Sequence, residues 1–448
     1  MDSQWHRRKP PLAALSALAV GVYFVWHVSA GLRGGINMDD LSNLIGCTTA
    51  SPYELLIALV RLDQPVFRPT GGLLYCAIYH GFGLDPLPYR VLCFTLLAAN
   101  LILLGALVRA ITGSGFTGVL AALFAAFHPR LVDLYWSTGT VYDLLCFFFV
   151  FAGLLLYVRW REAGGALGLA RWSVLIALFV LALGAKELAV AFPFLLLLYE
   201  LLYRRPPLWF GPCLAGLLLG PYLLGKLSAE SPLAKFDHYR LEIGTSRFAN
   251  TAAAYLGDLL FRPPVAHLVV WALLFGTLVL AAALRSRHLL FAWCMTVLFY
   301  LPMAFIPPRG LYMTYLALGG AAFYGAILLS TFSRPWMRAL VFAASLLLLM
   351  RGYRIQRGRM GGANALSQPL IGSALLELKR TGFAPGRGAQ VRVIDDPFLR
   401  TEQPHGMTLL LRLYTRDATL AVERGETGHG GNGLILDWRV GELRIRQP

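Results

Sequence analysis

Residues 11–40 read PLAALSALAVGVYFVWHVSAGLRGGINMDD, and this stretch decides the fold. Its first part, to Gly31, is one long apolar run behind Arg7, Arg8 and Lys9. It is too long for the hydrophobic region of a signal peptide and lacks a small-x-small cleavage site, so it reads as a retained signal-anchor helix. Its last part, Gly34-Gly35-Ile36-Asn37-Met38-Asp39-Asp40, reads as an acidic turn at the mouth of that helix. Two adjacent carboxylates in such a place are costly unless they face water or carry out chemistry.

Working outward, the pattern repeats. The 448 residues are 57% hydrophobic and 14% charged, with a mean hydropathy of +0.60. A soluble core cannot hide so much apolar surface, so the expected class is an all-α polytopic membrane protein. The net charge of +16 does not point to nucleic acid, because Lys and Arg sit in small groups between apolar runs. Basic loops on an anionic cytoplasmic leaflet, or a phosphate-bearing lipid ligand, account for it better.

Apolar stretches near 11–31, 88–108, 117–132, 141–158, 172–186, 188–203, 208–225, 265–284, 288–306, 310–331 and 336–352 predict about eleven transmembrane helices. Lys186-Glu187 interrupts what is otherwise a nearly continuous run over 172–203. Arg109, Arg159, Arg161, Arg171, Arg204, Arg205, Arg285, Arg287, Arg334 and Arg338 share one side with the N-terminus. By the positive-inside rule the N-terminus is then cytoplasmic and the C-terminus extracytoplasmic. Loops 32–87 and 226–264 and the turns 128–141 and 306–310 fall outside. Within the first of these, 52–62 and 71–82 have helical periodicity and read as interfacial helices.

The membrane domain is expected to span 1–352, followed by a small extracytoplasmic α+β domain over 353–448. Residues 367–381 read as its amphipathic helix, and 390–395, 407–413, 419–423 and 433–446 as strands. Cys93, Cys146, Cys213 and Cys294 lie in apolar stretches and read as small core residues. Cys47 and Cys76 share the first outer loop, where pairing requires an extracytoplasmic setting. No Cys/His spacing indicates a zinc site.

Four polar clusters fall on the outer edge: Asp39-Asp40; His128, Asp133, Tyr135, Trp136, Tyr142 and Asp143; Lys186-Glu187; and Arg309 with Tyr312. Each alone has a plain reading, as solvated loop charge, interfacial aromatic belt or snorkelling cation. Their shared side argues for an outer cavity holding acidic groups together with Arg309, Lys186 and Arg68. Carboxylates act as general bases or bind a divalent metal, and Arg holds phosphate through paired donors. Such a set suits group transfer from a lipid phosphate.

Four segments resemble the GT-C class of integral-membrane glycosyltransferases. They are FRPTGGLLYCAIYHGFGLDPLPYRVLCFTLLAANLILLGALVRAITGS (67–114), FHPRLVDLYWSTGTVYDLLCFFFVFAGLLLY (127–157), LGAKELAVAFPFLLLLYE (183–200) and PPRGLYMTYLALGG (307–320). The nearest branches are the protein O-mannosyltransferase-like enzymes, including the membrane part of those bearing tetratricopeptide repeats, and bacterial polyprenyl-phosphate sugar transferases. The likeness runs over roughly residues 10–330. It implies a general base at Asp39 or Asp40, donor-phosphate contacts at Arg309, Lys186 and Arg68, and an acceptor or metal site shaped by Glu187, His128, Asp133, Asp143 and Tyr312. Where the family often has a basic residue after the glycine of the second segment, this chain has Thr140.

The resemblance thus implies transfer of a sugar from a polyprenyl-phosphate donor to a protein, lipid or glycan hydroxyl on the outer side of a plasma (bacterial inner) membrane. A divalent metal ion is compatible with it. One base and no covalent nucleophile fit inverting transfer. The rival is a transporter or flippase of lipid-linked sugars, which favours internal repeats and charges near the midplane; the sequence shows neither. A degenerate assembly partner is a third reading.

Overall fold

The computed structural model describes residues 11–61, 68–126, 131–164, 167–228, 240–332, 334–356, 363–400, 405–424, 434–439 and 442–446. In chain order the helices are α1 (Pro11–Val28), α2 (Met38–Leu44), α3 (Pro52–Val60), α4 (Pro69–Phe82), α5 (Pro86–Thr112), α6 (Gly115–Ala126), α7 (Asp133–Trp136), α8 (Val141–Glu162) and α9 (Leu169–Leu183). They continue with α10 (Phe192–Tyr203), α11 (Phe210–Ser228), α12 (Thr245–Leu259), α13 (His267–Ala283), α14 (Arg287–Ala304), α15 (Tyr315–Leu329) and α16 (Pro335–Gln356). After these come α17 (Ala363–Arg380), β1 (Gln390–Ile394), α18 (Gly406–Thr415), β2 (Ala421–Arg424), β3 (Leu434–Arg439) and β4 (Glu442–Arg446).

Each apolar stretch of the sequence falls on a helix, and the chain is a multi-pass membrane protein. Among the described residues six helices are long and apolar enough to cross a bilayer unaided: α1, α5, α8, α14, α15 with its lead-in turn, and α16. The others are shorter. Helix α10 has 12 residues, a length of about 18 Å against a hydrocarbon core of about 30 Å. Lys186 explains this: it stands in extended conformation between α9 and a 3-10 turn at Glu187–Ala191, so the run breaks where the charge sits.

Helix α8 forms the heart of the bundle, with 78% of its most apolar window covered by protein. Its Phe147 stacks on Phe151 at 3.8 Å and on Tyr315 of α15 at 4.5 Å between ring centres. Helix α5 starts on Pro86 behind the Asp85 side chain, which accepts the Leu87 N–H at 3.1 Å. It ends at Gly113, whose φ of 73° closes the helix in the left-handed conformation. The chain then turns back into α6, with Gly105 facing Gly118 so closely that a side chain at Gly118 would meet the Gly105 carbonyl at 2.4 Å.

Two sequence expectations change. The acidic turn is the start of a helix, α2, set by its cap. The stretch 407–413 is helical (α18) rather than a strand: Met407, Leu410, Leu411 and Leu413 are buried at helical spacing, and a short apolar run does not distinguish the two by pattern. The sheet beside it has the order β2-β1-β3-β4, with β1 parallel to β2 and β3, and β4 antiparallel to β3. Stretches 52–62 and 71–82 are helical, as α3 and α4. A disulfide joins Cys47 to Cys76, tying the end of α2 to α4 with a Cα separation of 5.1 Å.

Candidate active site

The site begins with a helix cap. The Asn37 side chain accepts the Asp40 N–H at 2.9 Å, and the Asp40 carboxylate accepts the Asn37 N–H at 3.1 Å. This reciprocal pair fixes which way the two neighbouring carboxylates point. Asp40 turns inward and is fully buried, while Asp39 is exposed.

Asp40 meets a guanidinium. Arg90, near the start of α5 and itself buried, donates to Asp40 at 3.3 Å and to the Gly34 carbonyl at 3.3 Å, and also contacts the Gly35 carbonyl. The Tyr75 hydroxyl donates to the other Asp40 oxygen at 3.3 Å. Burial pushes the Asp40 carboxyl up, while Arg90 and the Asn37 N–H pull it back. Arg90 is the residue that sequence reasoning missed. Its signal was an arginine inside an apolar helix, which demands a partner.

Asp39 faces the other way, against the turn after α7. A side chain at Gly139 would meet the Asp39 Cβ at 3.1 Å and its carboxylate at 3.6 Å. Thr140, next in the chain, donates to the Asp133 and Ser137 carbonyls at 3.0 and 2.9 Å, closing this turn. Asn37 Nδ2 donates to Ser137 Oγ at 2.8 Å, so the two segments are stitched together.

Asp133, the first residue of α7, is brought into the same region. Burial pushes its carboxyl up to about 6, and the Asp39 charge adds to the shift. Its Oδ2 lies 3.4 Å from where a Gly310 side chain would begin, beside Arg309. The Arg309 N–H donates to the Tyr255 hydroxyl at 3.2 Å, which anchors this loop to α12. Tyr312 lies within electrostatic reach of Arg309, Asp143, Asp133 and Asp39 together.

The remaining candidates form ion pairs at the site's floor and flank. Lys186 is buried against Asp143 of α8, with the Met313 sulfur at 3.3 Å and the Tyr312 ring centre at 5.7 Å. Arg68 pairs with Glu187 at 3.1 Å on a part-exposed edge and lies over the Tyr142 ring at 5.3 Å. Thus Asp39, Asp133, Asp143, Lys186, Arg309 and Tyr312 are gathered at one end of the bundle, with Arg68 and Glu187 beside them. His128 lies outside the described residues.

An apolar cavity of about 300 Å³ opens between α12, α13, α14 and α15, lined by Phe248, Tyr255, Leu273, Trp293, Tyr300 and Ala317. Tyr255 belongs both to this cavity and to the Arg309 anchor. A larger groove of about 880 Å³, lined by α1, α5 and α6, reaches Arg109, Arg159 and Glu162 at the far ends of α5 and α8. It is remote from Asp39.

Among the described residues no three His, Cys, Asp or Glu side chains come together as metal ligands.

The charges gathered at one end of a helical membrane bundle define the candidate site, and its fold has a solved counterpart. Among solved structures the chain is similar to ArnT from Cupriavidus metallidurans, bound there to undecaprenyl phosphate, at 15% identity and a TM-score of 0.51, over 95% of this chain and 92% of that one. At that identity the likeness is one of fold, and it does not single out an O-mannosyltransferase-like branch. No protein-family model matches the sequence, and no curated protein matches it significantly.

Proposed function

We propose that the protein is a membrane glycosyltransferase that takes a sugar from a polyprenyl-phosphate donor and passes it to an acceptor hydroxyl on the outer side of the membrane. One observation carries this reading: an exposed carboxylate, Asp39, shares its field with Asp133, whose carboxylate faces Gly310, and the neighbouring Arg309 adjoins an apolar cavity through its N–H bond to the Tyr255 hydroxyl. An isoprenoid tail needs the apolar cavity and its phosphate needs the arginine. The neighbouring fold supports the choice of donor, since ArnT is bound to undecaprenyl phosphate.

In this reading Asp39, not Asp40, is the general base. Asp40 is already engaged by Arg90, Tyr75 and the Asn37 N–H, and it is closed to solvent. Asp39 takes the proton of the acceptor hydroxyl, and that oxygen bonds to the anomeric carbon. The bond from this carbon to the phosphate oxygen breaks, and the lipid phosphate leaves with the electron pair. Arg309 stabilises the leaving charge where it develops. Lys186, paired with Asp143, supplies a fixed dipole at the floor, while Arg68 and Glu187 border the entrance. Asp133 and Tyr312 shape the space for the acceptor.

The test is transfer from a radiolabelled polyprenyl-phosphate sugar in reconstituted vesicles, with Asp39→Asn and Asp40→Asn compared. Transfer lost in the first, with wild-type folding retained, supports the reading. Full activity in Asp39→Asn removes it.

A further inference from the structure

The two outer segments that carry Asp39 and Asp133 are held together from beyond the membrane bundle. Gln368, in the second turn of α17, is 8% exposed. Its Oε1 accepts the Gly35 N–H at 3.0 Å, and its Nε2 donates to the Trp136 carbonyl at 2.9 Å. Gly35 lies two residues before the Asn37 cap of α2, and Trp136 is the last residue of the short helix that Asp133 begins. One primary amide therefore bridges the approach to Asp39 and the turn after Asp133.

The chemistry of this bridge is specific. A backbone N–H requires an acceptor and a carbonyl requires a donor, so the orientation of the amide is fixed by its partners. Glutamate accepts but does not donate when ionised. Asparagine is one methylene shorter, and alanine does neither. On the opposite side of the loop, Arg90 binds the carbonyls of Gly34 and Gly35. The Gly34-Gly35 segment is thus held both by Arg90 of the bundle and by Gln368 of the region that follows it.

A second contact holds the same region in place. Tyr79 of α4 donates to the Leu413 carbonyl of α18 at 2.6 Å, and Arg416 lies over the Tyr79 ring at 5.7 Å. With α18 seated on α4, Gln368 need not by itself keep α17 docked. Its bridge is free to act on loop geometry rather than on attachment.

We propose that Gln368 is a positioning residue that sets the spacing of Asp39 and Asp133, making the region after α16 a working part of the site. The effect on turnover rests on the glycosyltransferase reading, whereas the coupling of the two loops does not. Misplacing catalytic groups by about 1 Å costs up to about a hundredfold in rate.

The experiment uses the full chain in nanodiscs, with Gln368→Ala, Gln368→Glu and, as a control on the same helix, the exposed Ser373→Ala. Hydrogen exchange is followed at residues 34–37 and 134–137, alongside kcat and the donor KM. In Gln368→Ala both segments should exchange faster and kcat should fall at least about tenfold, while the donor KM stays within twofold because Arg309 is untouched. Gln368→Glu should release the 134–137 segment and retain more protection at Gly35. Ser373→Ala should match wild type. Unchanged exchange in both segments of Gln368→Ala, or faster exchange with kcat unchanged, overturns the proposal. Failure of the glycosyltransferase reading looks different: the wild type transfers no sugar, yet exchange still rises in both segments of Gln368→Ala, which upholds the coupling.

Discussion

The two faces of α2 carry adjacent carboxylates with opposite surroundings. Asp40 is sealed in with Arg90, Tyr75 and the helix cap. Asp39, one residue earlier, is exposed beside Gly139 and shares its field with Asp133 and Tyr312. The difference teaches that charge alone does not locate a catalytic group. What matters is whether the charge is closed in or open to solvent, and the Asn37 cap decides that by setting the helix phase.

The sharpest way to break this contrast is to neutralise each face in turn. Asp39→Asn should lower transfer by about 10²–10⁴-fold, the usual contribution of a general base, with the melting temperature unchanged. Asp40→Asn should instead destabilise the protein by about 3–5 kcal/mol, because it leaves Arg90 buried without its counter-charge. Replacing Arg90 by Met as well should recover part of that loss. Equal melting temperatures for the two single variants would erase the distinction.

Much of this was legible in the sequence. Long apolar runs and the distribution of Arg were enough to indicate a helical membrane bundle with its polar clusters on one side. The choice between Asp39 and Asp40 was not legible as read, because Asn37-x-x-Asp40 looked like a turn, although it has the form of a capping box. Nor was Gln368: its partners are Gly35, 333 residues away, and Trp136, 232 residues away, and both bonds are to backbone. Bonds to backbone leave no pattern of complementary residue types. The strand expected at 407–413 failed for a related reason, since Met407 to Leu413 is too short for period to decide.

The turn that follows α2 is tied to α4 by the Cys47–Cys76 disulfide. Cys47→Ser with Cys76→Ser should cost about 2–4 kcal/mol of stability, read from thermal melting in detergent. Transfer at 25 °C should survive, because Asp39 points away from that tie. Loss of transfer with unaltered melting would place the disulfide on the open face instead.

On the open face, Arg309→Ala should raise the donor KM by about 10- to 100-fold, the loss of a charge-assisted contact worth about 1.5–3 kcal/mol. Arg309→Lys should recover only part of it, since a point charge does not reproduce a paired fork. An unchanged donor KM in Arg309→Ala would take the phosphate away from this end of the cavity.

The smallest expected effect is the most diagnostic of the field shared by Asp39 and Asp133. Burial, and then the Asp39 charge, push the Asp133 carboxyl up to about 6. Because this folded value lies above the ordinary one, ionising Asp133 works against folding. Its stabilising contribution is complete in acid and fades as pH rises through about 6. Transfer should show an inflection near the same pH, and Asp133→Asn should abolish it together with that part of the stability slope. In Asp39→Asn the Asp133 carboxyl should titrate at lower pH, because the second cause of its upward shift is gone. The carboxyl stretch in infrared difference spectra, assigned by subtraction of Asp133→Asn, reads that titration without needing turnover. A titration that stays at the same pH would mean that the two carboxylates do not share a site, leaving Asp39 a solvated charge on the outer face of α2.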